Sequence, residues 1–80
     1  MARVSDAVKT ILAKKNIKIT ELAAHWGTSR ASVSNKVYRD YWSADELADL
    51  ARYTGSQLLY RFPDGTEIQV MTDTVPHAKP

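Results

Sequence analysis

At 80 residues the chain is long enough for one small domain with a limited core. With no cysteine it has neither a disulfide nor a thiolate metal site to reinforce that core, so self-association is worth considering. No apolar run is long enough to cross a bilayer, and the opening MARVSDAVK lacks the apolar stretch of a secretion signal, so a cytoplasmic protein that avoids membranes is expected. A formal charge of +2 is too small to imply a polyanionic partner by itself.

The two halves of the chain nevertheless differ in sign. Residues 1–42 carry eight basic side chains against three acidic ones, and residues 43–80 carry three against six. Such polarity would turn the N-terminal half toward a phosphate backbone.

The first predicted element is a helix from Ser5 to Lys15, with Val4, Val8, Ile11 and Leu12 as its inward stripe. Lys14 and Lys15 suit the negative end of its dipole, and Asn16 is a plausible stop. Apolar Ile19, Leu22, Ala23 and Trp26 then recur at helical spacing until Gly27, a residue that can take a left-handed conformation, breaks the run. Ser29 is a good N-cap for a second helix at once, whose Val33 and Val37 lie four apart on one face. The other side of that helix carries Arg30, Ala31, Ser34, Asn35 and Tyr38, a short polar and basic face without an acid.

Tyr38-Arg39-Asp40-Tyr41 reads as a loop, with Trp42 plugging the core ahead of the next helix. Ser43 and Glu46 form a capping box there, Leu47, Leu50 and Ala51 face inward, and Gly55 ends the element. Beyond it the period alternates. Leu58, Tyr60, Phe62, Ile68 and Val70 share one face, and Leu59, Arg61, Glu67, Gln69 and Met71 share the other. Pro63-Asp64-Gly65 suits a type I turn with a left-handed glycine in a G1 bulge, which pairs Phe62 with Thr66, Tyr60 with Ile68 and Leu58 with Val70. A two-stranded ribbon is marginal alone, so its apolar face is expected to pack on the helices. Residues 72–80, with two prolines and no periodicity, are expected to be disordered. The fold class expected is α+β: a four-helix helix-turn-helix domain followed by a C-terminal β-hairpin, one domain over residues 1–71.

Leu22-Ala23, Gly27, Ser29-Arg30 and Val33-Ser34-Asn35-Lys36 resemble the Cro and cI-type helix-turn-helix repressors, also called the XRE family, and the likeness extends from about Val4 to Gly55. In that family a small residue, here Ala23, lets two helices cross closely, and a glycine, here Gly27, makes the turn. Two departures stand out. Lys18 occupies a position where relatives often carry a capping Thr or Ser, leaving Thr20 as a rival cap, and bulky Trp26 occupies a usually aliphatic core position. The resemblance implies that Ser29, Arg30, Ala31, Ser34 and Asn35 lie in the major groove of double-stranded DNA, while Lys18, Ser32, Lys36, Tyr38, Arg39 and Tyr41 hold phosphates. The chemistry agrees, since arginine can fork onto guanine, asparagine onto adenine, and an alanine methyl can meet a thymine methyl. The plainer reading of Arg30, Asn35 and Lys36 is a solvated helix face.

Many relatives have a fifth helix where this chain has its hairpin. The arrangement looks like the Cro-type variant, in which C-terminal strands serve dimerisation, so Leu59, Arg61, Glu67, Gln69 and Met71 are expected at a homodimer interface. The function expected is a sequence-specific transcriptional regulator, a repressor of phage or bacterial type acting as a dimer on an inverted repeat, with a protein antagonist as a possible further partner. The competing expectation is a helix-turn-helix module that binds a protein, such as an antirepressor or a toxin's partner. Catalysis and cofactors are not expected. His25 reads as a surface residue, His77 lies in the tail, and no spacing joins either to a metal or triad pattern. Thr20 with Glu21, and Asp45 with Glu46 and Asp49, read as helix starts and exposed faces.

Overall fold

The computed structural model describes residues 3–73 and 75–76. Helices α1 (Val4–Lys14), α2 (Ile19–Trp26), α3 (Arg30–Arg39) and α4 (Ala44–Thr54) are followed by strands β1 (Leu58–Arg61) and β2 (Glu67–Val70), which pair antiparallel. This is the expected α+β order. Among the described residues no helix is long and apolar enough to cross a membrane.

All four helices end on a left-handed residue: Asn16, Gly27, Asp40 and Gly55, with φ between 56° and 73°. In each case the next amide reaches back five residues, from Ile17 to Leu12, Thr28 to Ala23, Tyr41 to Lys36 and Ser56 to Ala51, at 2.9–3.2 Å. These bonds satisfy carbonyls that a helix end otherwise leaves orphaned.

The helix starts differ more. Ser43 and Glu46 form the full capping box, with Ser43 Oγ accepting from the Glu46 amide at 3.1 Å and Glu46 Oε1 accepting from the Ser43 amide at 2.7 Å. At α2 the helix starts at Ile19, so Lys18 and not Thr20 is the cap residue. A lysine side chain has no acceptor, and the cap is the half that Glu21 supplies by accepting from the Lys18 amide at 3.1 Å.

Val8 and Leu12 of α1, Leu22, Ala23 and Trp26 of α2, Val33 of α3 and Leu50 of α4 form one buried cluster, and Ile11, Ile17, Ile19, Trp42, Leu47 and Val75 pack against it. Trp26 and Trp42 meet edge to face with centroids 6.2 Å apart, a geometry worth about 0.5–1.5 kcal/mol beyond the area buried. Val4, expected in the inward stripe, is 44% exposed instead. It sits on the rim of an apolar groove between α1, α4 and the start of β1, where no element covers it.

The hairpin has the expected register, Leu58 with Val70, Leu59 with Gln69, Tyr60 with Ile68 and Arg61 with Glu67. Gly65, at φ 93°, closes the turn, and Phe62 donates to the Thr66 carbonyl at 2.8 Å. Its docking differs from expectation. Tyr60, Phe62 and Ile68 remain 68%, 47% and 54% exposed, and of the two strands it is β1 that rests on α4. Four-residue strands span only ~13 Å, and with Leu58 and Val70 at their base the turn runs out past the helices. In the segment expected to be disordered, the Thr72 carbonyl accepts from Arg52 and Val75 packs on the core. Thr74 and residues 77–80, including His77, lie outside the described residues.

Candidate nucleic-acid interface

The α2–α3 unit is held by side chains that local spacing puts on facing sides. Ala23 is buried beside Leu22 and Trp26, and Val33 of α3 is buried against the same cluster. Gly27 turns the chain between them at φ 69°, ψ 32°. A Cβ there would meet nothing within 4 Å, so the backbone conformation, and not a close approach, is what calls for glycine.

Burying Val33 turns the polar side of α3 outward. Arg30, Ala31, Asn35, Tyr38 and Arg39 are exposed, whereas Ser32, Ser34, Lys36 and Val37 are half-buried. Ser29 is exposed just before the helix, but its hydroxyl accepts from the Ser32 amide and donates to the Ser32 hydroxyl, both at 3.1 Å, so the cap already uses it. No acidic residue lies in the first turn, and Lys36 and Arg39 occupy the last. Neither Arg30 nor Arg39 forms an ion pair among the described residues. Thr28, Ser32, Asn35, Lys36, Arg39 and exposed Tyr41 line an open depression of about 370 Å³ beside the helix. Lys18, exposed at the start of α2, completes the set of cations that the sequence singles out here.

Lys36 is differently placed from the two arginines. Its Nζ lies 2.9 Å from Glu46 Oε2 and 6.0 Å from the centre of the Tyr41 ring, and its side chain is only 18% exposed. The C-terminal end of α3 is tied to α1 as well. The buried Ser5 donates its amide to Asp40 Oδ1 at 2.7 Å, its hydroxyl accepts from Trp42 Nε1 at 3.0 Å, and it makes a long 3.5 Å contact to the Lys36 carbonyl. The Ser5 amide, aided by Arg3 4.0 Å away, holds the Asp40 carboxyl below the usual carboxylate range.

Behind α2 lies an arrangement that sequence reading missed. Asp49, expected on an exposed face, is fully buried. Its Oδ2 accepts from the Trp26 indole at 2.7 Å and contacts His25 Nε2 at 2.8 Å, while Arg52 binds Oδ1. Burial alone would push this carboxyl up, but the hydrogen bonds from Trp26, Arg52 and His25 outweigh it and hold it below the ordinary value. An ionised carboxylate only accepts, so His25 carries its proton on Nε2. His25 is therefore not the free surface residue expected: it also stacks on Tyr53, centroids 4.0 Å apart. Glu46, likewise read as part of an exposed helix start, is buried beneath Lys36. The signal that pointed to Asp49 was Trp26 itself, because an indole N–H placed in a core needs an acceptor. Among the described residues no three His, Cys, Asp or Glu side chains gather as metal ligands.

The hairpin residues expected at a dimer interface lie together on one side of the ribbon. Arg61 Nε is 2.7 Å from Glu67 Oε2 across the strands, Leu59 is half-buried opposite Gln69, and Met71 is exposed just beyond β2. The bonded Phe62–Thr66 pair fixes the alternation along the ladder, so the backbone groups of Glu67 and Gln69 point away from β1.

Comparisons with curated proteins and with solved structures gave no match. The family model for the Cro/C1-type HTH DNA-binding domain matches residues 7–58, from the second turn of α1 through all of α2, α3 and α4 to the first residue of β1. With the paired helices, the left-handed turn and an acid-free outer helix in the matched stretch, the chain belongs to the Cro/C1-type helix-turn-helix DNA-binding domain family.

Proposed function

We propose that the protein is a sequence-specific regulator of transcription, a repressor of phage or bacterial type, that binds an inverted repeat in double-stranded DNA as a homodimer. The observation that carries the reading is the outer face of α3, where Arg30, Ala31 and Asn35 stand exposed on a helix without a single acid. In this reading α3 enters the major groove. Arg30 forks onto guanine O6 and N7, Asn35 onto adenine N6 and N7, and Ala31 meets a thymine methyl, with Ser29 and Ser34 adding hydroxyl contacts. Lys18, Ser32, Tyr38, Arg39 and Tyr41 hold phosphates on either side and set the register without reading bases. The hairpin, beyond the matched stretch from Leu59 onward, joins two copies through Leu59, Arg61, Glu67, Gln69 and Met71.

Selection of bound fragments from random duplexes, followed by titration of variants on the winning site, tests the proposal. Arg30→Ala and Asn35→Ala each weaken that site by ~1–3 kcal/mol and relax base preference locally. Arg39→Ala instead weakens all duplexes alike and lowers the salt slope by about 1. Retained specificity in both base-contact variants would sink the assignment. One observation favours a protein-binding role in place of this one: the uncovered apolar surface of Tyr60, Phe62 and Ile68. A partner that co-purifies, together with no salt-sensitive binding to random duplex, would replace the DNA reading.

A further inference from the structure

We infer that Lys36, although it lies on the DNA-facing helix, is a positioning residue that sets the angle of α3 through its pairing with Glu46, and is not a phosphate ligand. The inference rests on the DNA-binding reading above and concerns how α3 is presented. Three observations carry it. The Lys36 side chain is four-fifths covered, and its ammonium sits 2.9 Å from a carboxylate that is itself 2% exposed. That carboxylate is held in place from its other oxygen, because Glu46 Oε1 accepts the Ser43 amide at 2.7 Å while the Glu46 amide donates to Ser43 Oγ. Glu46 is thus fixed in the first turn of α4 and cannot follow the ammonium outward. The Lys36 carbonyl, finally, is tied by the Tyr41 amide at 3.2 Å, in the same turn where Asp40 receives the Ser5 amide from α1.

These contacts converge on the last turn of α3. The helix packs on α2 through Val33, and its last turn is fixed between the start of α1 and the start of α4. An ammonium that swung out to a phosphate would take the cation away from a buried carboxylate, which is costly in a low-dielectric site. Arg39, exposed in the same last turn and in no ion pair among the described residues, has no such cost. The two cations that the sequence assigns alike therefore divide the work: Arg39 binds phosphate and Lys36 orients the helix whose Arg30 and Asn35 read bases.

The two roles differ in their effect on a salt titration. A phosphate ligand releases counterions, so its loss lowers the slope of log affinity against log salt by ~0.9 and leaves discrimination intact. Lys36 is already neutralised by Glu46. Lys36→Met is expected to leave the slope unchanged while discrimination between the selected site and a random duplex falls roughly tenfold, the size of one weakened bidentate contact. Glu46→Gln releases the ammonium, so it is expected to steepen the slope by up to ~0.9, strengthen random-duplex binding and lose similar discrimination. A merely structural role would lower stability without steepening the slope. In the unsubstituted protein, a protected Lys36 ammonium signal in the nuclear magnetic resonance spectrum should persist unchanged when random duplex is added, which tests the point even where a variant fails to fold. A Lys36→Met slope lowered by about 0.9 with discrimination kept, or a Lys36 signal that shifts on random duplex, overturns the positioning role alone. A wild-type protein that prefers no duplex overturns the DNA reading itself.

Discussion

An indole N–H in an otherwise apolar core must find an acceptor, and at Trp26 that requirement explains the buried charges around it. Asp49 supplies the acceptor from α4, Arg52 then offsets its charge and His25 adds a hydrogen bond. Asp49→Ala removes the acceptor that lies 2.7 Å from the Trp26 indole nitrogen. Arg52 is 45% exposed and can turn back to water, so the cost should be that of losing the buried hydrogen bonds to the carboxylate, about 1–3 kcal/mol, and not the larger value for a stranded buried charge. Urea unfolding at neutral pH reads this directly. An unchanged midpoint would mean the carboxylate does not hold α2 to α4. The same group makes stability sensitive to acid. Its folded pKa lies below the ordinary 3.8, so the unfolded chain takes up the proton first as pH falls. Its stabilisation is present above about pH 4 and drains away below it, as the pH passes through the folded value. Asp40, depressed by the Ser5 amide, acts in the same direction. Asp49→Asn should therefore flatten the unfolding profile below about pH 4 relative to wild type.

At the scale of elements, the helix ends carry most of the orientation. The angle between α2 and α3 depends on a three-residue link whose first member is left-handed, and at Gly27 the neighbourhood is open. Gly27→Ala should cost only the backbone strain of a Cβ in that conformation, about 1–2 kcal/mol, with an unchanged dependence on denaturant concentration, and Gly27→Asn should cost less. A neutral Gly27→Ala would show that the turn relaxes to another conformation. The start of α4 has two tasks at once: Glu46 closes the capping box with one oxygen and meets Lys36 of α3 with the other. A device that begins one helix thereby fixes the end of another.

For the whole molecule, the open question is what covers the exposed ribbon. A module of this size reads few base pairs, and two copies joined along the outer edge of β2 would extend the sheet and present two recognition helices roughly 34 Å apart, one turn of DNA. Gln69 pairs with Leu59 in the non-bonded register, so its amide points outward and a proline there removes a donor that the monomer does not use. Gln69→Pro should stay helical by circular dichroism, sediment as a monomer and lose tight binding to the inverted repeat. If the wild type itself sediments as a monomer at micromolar concentration and binds half-sites as well as paired ones, the strand-mediated dimer is wrong.

By itself the sequence determined the order of elements, the caps at Ser29 and Ser43, the left-handed stop at Gly27, the hairpin register and the face of α3 that turns outward. All of these depend on contacts within a few residues along the chain or on a periodicity of 3.6 or 2, and such information is local. Between Lys18 and its rival cap Thr20 the choice is also local, since Glu21 completes the cap at Lys18. What only the tertiary structure decided is the environment of the charged side chains. Asp49 and Glu46 look like ordinary exposed acids of an amphipathic helix until α2 and α3 are laid against α4, and His25 and Lys36 look like surface residues until those acids are beneath them. The hairpin divides in the same way: its turn chemistry sets the pairing, but whether Tyr60, Phe62 and Ile68 are covered depends on where the ribbon leaves the helices. Burial of a charge or a strand face is settled by which distant surfaces meet, and no short stretch of sequence contains that.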